Sequence, residues 1–257
     1  MKAPPRSTHY FSPFFLLVLL LASGSTYSQA IVSADSLNNN IPKSNWKKIV
    51  IAPVALISLG LLSTTDNEIF DGREIYDALN KSPNFHTHAD DYLQYAPIAG
   101  VYALNLFGIK GQHDFANRTA LLIKSELIEM AMVLPLKKLT AVPRPDSGAP
   151  NSFPSGHTAQ AFAAATFFHK EYGKKYPWLS VVAYGSASTV GVLRIMNHRH
   201  WVSDVLVGAG IGILSTNLAY LTHQNKWGGK KRKLSGMVVA PTYGQRSVGV
   251  FLMLPIH

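Results

Sequence analysis

The sequence predicts an all-α protein in which six main helices form a bundle. Of its 257 residues, 47% are hydrophobic and only 15% are charged, and the hydrophobic residues cluster in long segments typical of helices buried on several sides. No run of alternating apolar and polar residues, the pattern of a half-buried strand, occurs before the C-terminal tail. The six predicted helices are residues 49–63, 92–109, 117–139, 158–172, 177–195 and 201–222.

The first three helices differ in how uniformly apolar they are. The first and second are almost entirely apolar, and the second contains one proline, Pro97, that we expect the helix to tolerate. The third is less uniform because Lys124, Glu126 and Glu129 interrupt it; the two glutamates are interpreted as surface or packing residues rather than acid–base groups. The polar stretch 64–91 is expected to hold a short amphipathic helix with loops.

Small residues distinguish the last three helices. The fourth is rich in alanine and phenylalanine, the fifth contains "GSAS" at residues 185–188, and the sixth contains "GAGIG" at residues 208–212. Small side chains let helices approach closely, so these three helices are expected to pack tightly. The tail after residue 233 has β-branched segments on both sides of "PTYG" and is expected to form a short C-terminal β-hairpin.

The N-terminus is interpreted as an export signal. Lys2 and Arg6 precede an apolar run at residues 14–22, and Ser28 and Ala30, on either side of Gln29, are small residues suitably spaced for cleavage. The run is shorter than the roughly 20 residues that a membrane span needs, which disfavours the alternative, a short membrane anchor. The predicted division is a signal peptide at 1–30, a polar segment at 31–48, a main domain at 49–225, and a basic linker with the hairpin at 226–257.

Composition restricts the function classes. The chain has no cysteine, which excludes disulfides, thiolate zinc sites and a cysteine nucleophile. Its formal net charge of +10 leaves nucleic acid, anionic lipid surfaces and phosphorylated small molecules as partners. No zinc finger, RNA-recognition signature or heptad repeat accompanies the charge, so nucleic acid is not an expected partner.

Three motifs, separated in the sequence, carry the residue types suited to phosphate chemistry. They are Lys137-x6-Arg144-Pro145, Pro154-Ser155-Gly156-His157 and Arg194-x5-His200-x3-Asp204. In an up-and-down bundle, the ends of the third and fifth helices lie at the same end as the starts of the fourth and sixth. The motifs are therefore predicted to converge on one site.

Five of these residues suit the binding of a phosphate group. Lys137, Arg144 and Arg194 supply three cations, and arginine can bind two oxygens at once. Ser155 adds a hydroxyl and a backbone N–H. Gly156 lets the backbone come close, where the dipole of the fourth helix attracts an anion.

Three further residues of the motifs suit catalysis. His200 precedes Asp204 by one helical turn, so the carboxylate can hold one ring nitrogen and leave the other free to attack phosphorus. His157 is the candidate acid that protonates the leaving alkoxide and later activates water. We predict His200, His157 and Asp204 as the catalytic residues.

Together the motifs resemble those of the type 2 phosphatidic acid phosphatase (PAP2) superfamily, over residues 137–204. The resemblance implies that the domain at 49–225 is a PAP2-type phosphatase, which hydrolyses phosphomonoesters or pyrophosphates through a phosphohistidine without metal or cofactor. Leu193 stands where many members have serine; this touches a secondary contact only. Vanadium haloperoxidases share the constellation and would use His200 as a vanadate ligand, but this chain is short for that group.

Two other histidine patterns are interpreted as structural. The segment "HTHADD" (residues 86–91) has metal-ligand spacing and is similar to the zinc motif of metallo-β-lactamases, but the final histidine is absent and no strand precedes it. It is expected to be a polar loop, and no metal site is predicted. His198 has Val202 four residues later and is interpreted as an edge residue that nothing holds.

The expected substrate is a phosphorylated lipid of the cell envelope: phosphatidic acid, a polyprenyl pyrophosphate, phosphatidylglycerol phosphate or a lipid A phosphate. The alternatives are a soluble periplasmic phosphatase of small phosphoesters and a non-catalytic lipid-binding protein. The second would be favoured only if His157, His200 or Asp204 were missing. Nothing in the sequence indicates an oligomeric state.

The cellular location of the protein is less directly indicated by its sequence. A mean hydropathy of +0.09 is low for six spans. The basic segments "HKEYGKK" (residues 169–175) and "KWGGKKRK" (residues 226–233) are either solvated loops or cytoplasmic helix ends. As cytoplasmic ends they would place the start of the first helix inside, whereas an export signal would place it outside. We favour an inner-membrane protein with a periplasm-facing site over a soluble periplasmic bundle.

Overall fold

The computed structural model describes residues 46–64, 71–81, 85–223, 238–244 and 247–253. Within them it is all-helical up to residue 223, with two strands after it. The helices are α1 (Trp46–Leu62), α2 (Gly72–Leu79), α3 (Ala89–Leu93), α4 (Ala96–Leu106), α5 (Phe115–Thr140), α6 (Gly156–Tyr172), α7 (Pro177–Met196) and α8 (Val202–Leu221). The expected signal peptide at 1–30 and the polar segment up to residue 45 lie outside the described residues.

The prediction of six helices is wrong in number, since the described residues contain eight. The stretch predicted as polar loops with a short helix forms α2, whose first turn is capped by the Asp71 carboxylate (2.8 Å from the Arg73 backbone N), and α3. The predicted second helix begins only at Ala96, with Pro97 in its first turn. Proline favours this position because the first N–H groups of a helix have no intrahelical partner.

Helices α6 and α8 run parallel and in close contact. A Cβ on Gly208 would lie 2.5 Å from the Ser155 carbonyl oxygen, and further along the pair Thr216 Oγ1 donates to the Ala163 carbonyl (3.1 Å). The small residues of "GAGIG" therefore allow the approach that the sequence predicted. Because both helices start at the same end, Ser155 and Asp204 become neighbours.

Helices α5 and α7 run antiparallel to this pair. Lys137, near the end of α5, lies beside the first residue of α6, and Gly191, near the end of α7, faces Thr158 and Val205. The ends of α5 and α7 and the starts of α6 and α8 therefore share one end of the bundle. This is the arrangement that the three motifs required.

A buried polar network closes the opposite end. Glu171 accepts hydrogen bonds from Arg118 Nε (3.1 Å) and the Tyr220 hydroxyl (2.7 Å), and it contacts His113 Nδ1 (2.7 Å). Glu171 belongs to the basic sequence "HKEYGKK", which is thus partly a buried helix end rather than a solvated loop. A cavity of about 390 Å³ beside Lys110 and Arg118 adjoins this network.

Large apolar side chains cover outward-facing surfaces of the bundle. Their exposed fractions include 65% at Ile51 on α1, 60% at Leu127 on α5 and 73% at Val181 on α7. On α5 they recur at helical spacing, at Ile123, Leu127, Met130 and Leu134. Two described helices, α7 and α8, are long and apolar enough to cross a membrane, although α8 lies mostly inside the bundle.

The segment predicted as a hairpin contains two strands, β1 (Val238–Gly244) and β2 (Ser247–Met253). They pair antiparallel, with Val238 opposite Met253 and Gly244 opposite Ser247. The basic sequence "KWGGKKRK" before them lies outside the described residues.

Candidate active site

His200 lies in the short connection between α7 and α8 with only 1% of its surface exposed. Its Nδ1 faces Asp204 Oδ2 and Ser152 Oγ, each at 3.4 Å. Nδ1 is therefore directed towards the carboxylate, and Nε2 is the nitrogen left for a reacting group. The predicted pair is present at the start of α8.

Asp204 is itself held firmly. Its Oδ2 accepts hydrogen bonds from Ser152 Oγ (2.5 Å) and the Trp201 backbone N (2.9 Å), and its own backbone carbonyl accepts from the Ser155 backbone N (2.9 Å). Asp204 is completely buried. These contacts fix the carboxylate that orients His200 and tie the start of α8 to the turn before α6.

Burial of the imidazole lowers the pKa of His200 to about 4. The Asp204 carboxylate opposes this effect, and the cations Arg194 and Lys137 add to it. The His200 ring is thus neutral at physiological pH, which is the form that can act as a nucleophile.

The turn before α6 brings backbone N–H groups to the site. Ser155 is the N-cap of α6 and is completely buried, with its hydroxyl 2.9 Å from Thr158 Oγ1. Its hydroxyl is thus engaged in the helix cap, a contact that the phosphate assignment of Ser155 did not foresee. Gly156 faces open space: a Cβ there would meet only Lys137 Cε, at 3.9 Å. An anion can therefore approach the α6 N-terminus beside the Lys137 side chain.

Lys137 and Arg144 are joined through Asn151. Lys137 Nζ donates to the Asn151 carbonyl (2.8 Å), and Arg144 Nε donates to the Asn151 side-chain oxygen (2.7 Å). Burial, followed by the positive charge of Arg144, lowers the pKa of Lys137 to about 8. Lys137 and Arg144, the two cations of the first motif, therefore both contact the segment that leads into the second motif.

His157 is bound to an aspartate that the sequence analysis did not assign to the site. Its Nε2 lies 2.9 Å from Asp91 Oδ1, and the side chains of His157 and Asp91 are 33% and 43% exposed. Burial, then the charge of Arg194, lowers the pKa of His157, and the Asp91 carboxylate raises it. His157 is thus more accessible than His200 and carries its own carboxylate partner.

Arg194, in the last turn of α7, is held by Asp90. Its Nη1 donates to Asp90 Oδ2 (2.7 Å) and lies 4.0 Å from Asp91 Oδ1. Asn197 Nδ2 donates to the other oxygen of Asp90 (3.1 Å) and to the Thr87 carbonyl (2.9 Å). Arg194 Nε is buried without a hydrogen-bond partner in the described part of the chain, so the guanidinium keeps an unused donor.

Asp90 and Asp91 belong to "HTHADD", the segment interpreted as a polar loop. This segment therefore contributes side chains to the site. His88 Nδ1 contacts Asp91 Oδ2 (3.2 Å), and among residues the structure describes no group of three or more His, Asp or Glu side chains is arranged to hold a metal ion. Asp90 and Asp91 were missed because they lie about 66 residues before His157. Only tertiary contact reveals them.

The view that nothing holds His198 is wrong. Its Nδ1 lies 2.7 Å from the Tyr76 hydroxyl, and the Tyr76 ring packs on Trp201 with centroids 4.9 Å apart. Trp201 Nε1 in turn donates to the Pro143 carbonyl (3.0 Å). Helix α2 thus covers the connection that carries His200.

The motifs lie inside the region that matches a known family. The model of the PAP2 superfamily matches residues 118–228. The lipid A 1-phosphatase of Porphyromonas gingivalis is 45% identical over 141 residues, which are 53% of this chain and 31% of that protein. The chain thus spans about a third of the length of that curated relative.

Two solved structures are similar at lower identity. LpxE of Aquifex aeolicus is 24% identical with a TM-score of 0.46, over 61% of this chain and 99% of that one. A transmembrane PAP2 type phosphatidylglycerolphosphate phosphatase from Bacillus subtilis is 23% identical with a TM-score of 0.45, over 66% of this chain and 94% of that one.

Proposed function

We propose that the chain, whose residues 118–228 match the model of the PAP2 superfamily, is a phosphatase that removes a phosphate group from a phosphorylated lipid of the cell envelope. The observation that carries this proposal is the surroundings of His200. A buried, neutral imidazole with Nδ1 directed to Asp204 lies at the end of the bundle where Lys137, Arg144, Arg194 and the α6 N-terminus assemble. Such a set of cations and N–H donors stabilises the charge of a transferring phosphoryl group.

In the first step, His200 Nε2 attacks phosphorus and the bond from phosphorus to the lipid oxygen breaks. His157 gives a proton to the leaving alkoxide, since an alkoxide is a poor leaving group without one. The products are the lipid alcohol and a phosphohistidine on His200. Asp204 stabilises the positive charge that the ring of His200 acquires.

In the second step, water attacks the phosphohistidine. His157, now neutral, takes a proton from the water, the phosphorus–nitrogen bond breaks, and inorganic phosphate leaves. His157 is then protonated again for the next cycle. No metal or cofactor takes part, because Lys137, Arg144 and Arg194 supply the positive charge.

The substrate class comes from the relatives. The curated relative is named a lipid A 1-phosphatase, and a phosphate on a lipid A type glycolipid is the substrate we favour. Phosphatidic acid and polyprenyl pyrophosphate present the same phosphate chemistry and are the alternatives within the class.

The apolar outer surface supports a membrane location. Exposed leucine, isoleucine, valine and methionine side chains on α1, α5 and α7 suit contact with lipid, whereas a soluble bundle needs polar side chains there. Lys170, Lys174 and Lys175 lie at the end opposite the site, and basic residues favour the cytoplasmic side. The active site would therefore face the periplasm.

One experiment tests the activity and the intermediate together. Purified protein in detergent is given lipid A, phosphatidic acid, polyprenyl pyrophosphate and p-nitrophenyl phosphate, each with and without EDTA. We expect phosphate release that EDTA leaves unchanged, and ³²P trapped on His200 after rapid quenching at alkaline pH. Loss of activity on chelation, restored by zinc, would contradict the metal-free mechanism.

Location is tested separately. Carbonate extraction should leave the protein in the membrane fraction. Recovery in the soluble fraction, with activity on small phosphoesters, would favour the alternative of a soluble periplasmic phosphatase.

A further inference from the structure

His157 has a partner from a distant part of the chain. Asp91, in α3, places Oδ1 2.9 Å from His157 Nε2. This contact spans 66 residues, and Asp91 belongs to none of the three motifs that identify the site. The pairing is therefore an additional component of the catalytic end.

We propose that Asp91 is a positioning residue that holds the His157 ring in place and favours its protonated form, from which a proton passes to the leaving group. The inference rests on the proposed function. With Nε2–H bound to Asp91 Oδ1, the ring presents Nδ1–H to the leaving oxygen. When that proton moves to the alkoxide, the Nε2–H bond to Asp91 persists, and the neutral ring can accept a proton from water at Nδ1.

The charges around His157 show why a carboxylate is needed. Arg194 on α7 is the cation that, after burial, lowers the pKa of His157, because its positive charge disfavours a second positive charge beside it. Asp90 and Asp91 from α3 are the negative groups that face it. Asp90 is occupied by Arg194 at 2.7 Å, so Asp91 is the carboxylate that supports protonation of His157.

Asp91 is itself fixed in place. His88 Nδ1 lies 3.2 Å from its other oxygen, and Arg194 Nη1 lies 4.0 Å from the oxygen that contacts His157. Next to it, Asp90 is bound by Arg194 and Asn197. These contacts anchor the short helix α3 to α7 and so determine the position of Asp91 relative to His157.

The first measurement does not depend on catalysis. The titration of His157 is followed by NMR in the detergent-solubilised full chain, for wild type, Asp91→Asn and the control Asp77→Asn, an exposed aspartate on α2. The signal is assigned by its loss in His157→Gln. We expect the titration midpoint to fall by about one pH unit in Asp91→Asn, because an adjacent opposite charge shifts a pKa by about 1 to 3 units and the partial exposure of this pair favours the lower end of that range. An unchanged midpoint would overturn the proposal.

The second measurement uses kcat/KM, which for p-nitrophenyl phosphate reports only steps up to release of p-nitrophenolate. That leaving group departs without a proton, whereas the oxygen of a lipid phosphate requires one. Asp91→Asn should lose about 10- to 100-fold on the lipid phosphate and less than about threefold on p-nitrophenyl phosphate, a part of what general acid catalysis contributes. Asp91→Glu should recover much of the loss, and Asp77→Asn should match wild type.

Two results would count against the role of Asp91. Equal losses on both substrates would mean that Asp91 supports the fold of the site rather than the proton transfer. A gain in kcat/KM would mean that Asp91 occupies the place of a substrate oxygen between His157 and Arg194. If wild type hydrolyses none of the substrates, the proposed function fails, and the NMR titration alone decides whether Asp91 keeps the proton on His157.

Discussion

Arg194 donates from Nη1 to Asp90 Oδ2 across 2.7 Å, and both side chains are almost completely buried. The pair joins the last turn of α7 to the start of α3, and Asn197 holds the second carboxylate oxygen of Asp90. These protein contacts orient the guanidinium at the end of α7. A buried pair of this kind is costly to break, because removal of one partner leaves an uncompensated charge.

Replacement of Asp90 should therefore affect stability as well as activity. Asp90→Ala leaves the Arg194 charge without its partner, and we expect a loss of about 3 to 5 kcal/mol in the free energy of unfolding, the usual cost for such a pair. Thermal denaturation in detergent measures it, with Asp77→Ala as the control. A Tm equal to that of wild type would show that Arg194 finds another partner.

Replacement of His200 should remove more activity than replacement of Asp204. His200→Ala should abolish turnover of every substrate, because no phosphohistidine can form. Asp204→Asn keeps the nucleophile but presents an amide to Nδ1, and the loss should reach up to about 10⁴-fold in kcat, as in triads whose carboxylate is replaced. Steady-state kinetics and trapping of ³²P check both variants. Residual trapping in His200→Ala would identify a different nucleophile.

The leaving group should reveal the role of His157. His157→Ala should lower kcat/KM by about 10²- to 10⁴-fold on a lipid phosphate, the range of general acid catalysis. The loss on p-nitrophenyl phosphate should be much smaller, since its leaving group needs no proton. Similar losses on the two substrates in the phosphorylation step would make His157 a phosphate-binding residue instead.

Anion binding should weaken as Lys137 loses its proton. Burial lowers the pKa of Lys137 to about 8, so its positive charge is present below that pH and is lost as the pH rises through it. Inhibition by tungstate, which keeps its charge over this range, should weaken above about pH 8 in wild type. Lys137→Arg stays charged and should keep its affinity. A parallel decline in both proteins would mean that another group titrates.

Two glycines test the close contact between α6 and α8. A Cβ at Gly208 would lie 2.5 Å from the Ser155 carbonyl, whereas one at Gly185 meets no other atom within 4 Å. Gly208→Ala should lower Tm and reduce kcat/KM because it displaces the turn that carries Ser155 and Gly156. Gly185→Ala should preserve activity and leave Tm equal or higher, since alanine is the better helix former. A Gly208→Ala variant equal to Gly185→Ala would contradict the tight packing.

The sequence by itself determined the helical class, the approximate positions of six of the eight described helices and the common end at which the three motifs lie. These features depend on local patterns. Apolar segments define the helices, and the direction of each helix decides at which end of the bundle its motif lies. Lys137, His157, Arg194, His200 and Asp204 could be chosen because their spacing within each motif is short and their chemistry is specific.

Only the tertiary structure decided which groups hold those residues. The contacts of Asp91 with His157, Asp90 with Arg194 and Ser152 with Asp204 each join side chains that lie 52 or more residues apart in the chain. Periodicity and spacing carry no information on such pairs, because they arise when separate helices pack. For the same reason, the second short helix of the stretch 64–91 and the partner of His198 could not be predicted: each is stabilised by neighbours that the chain meets only after folding.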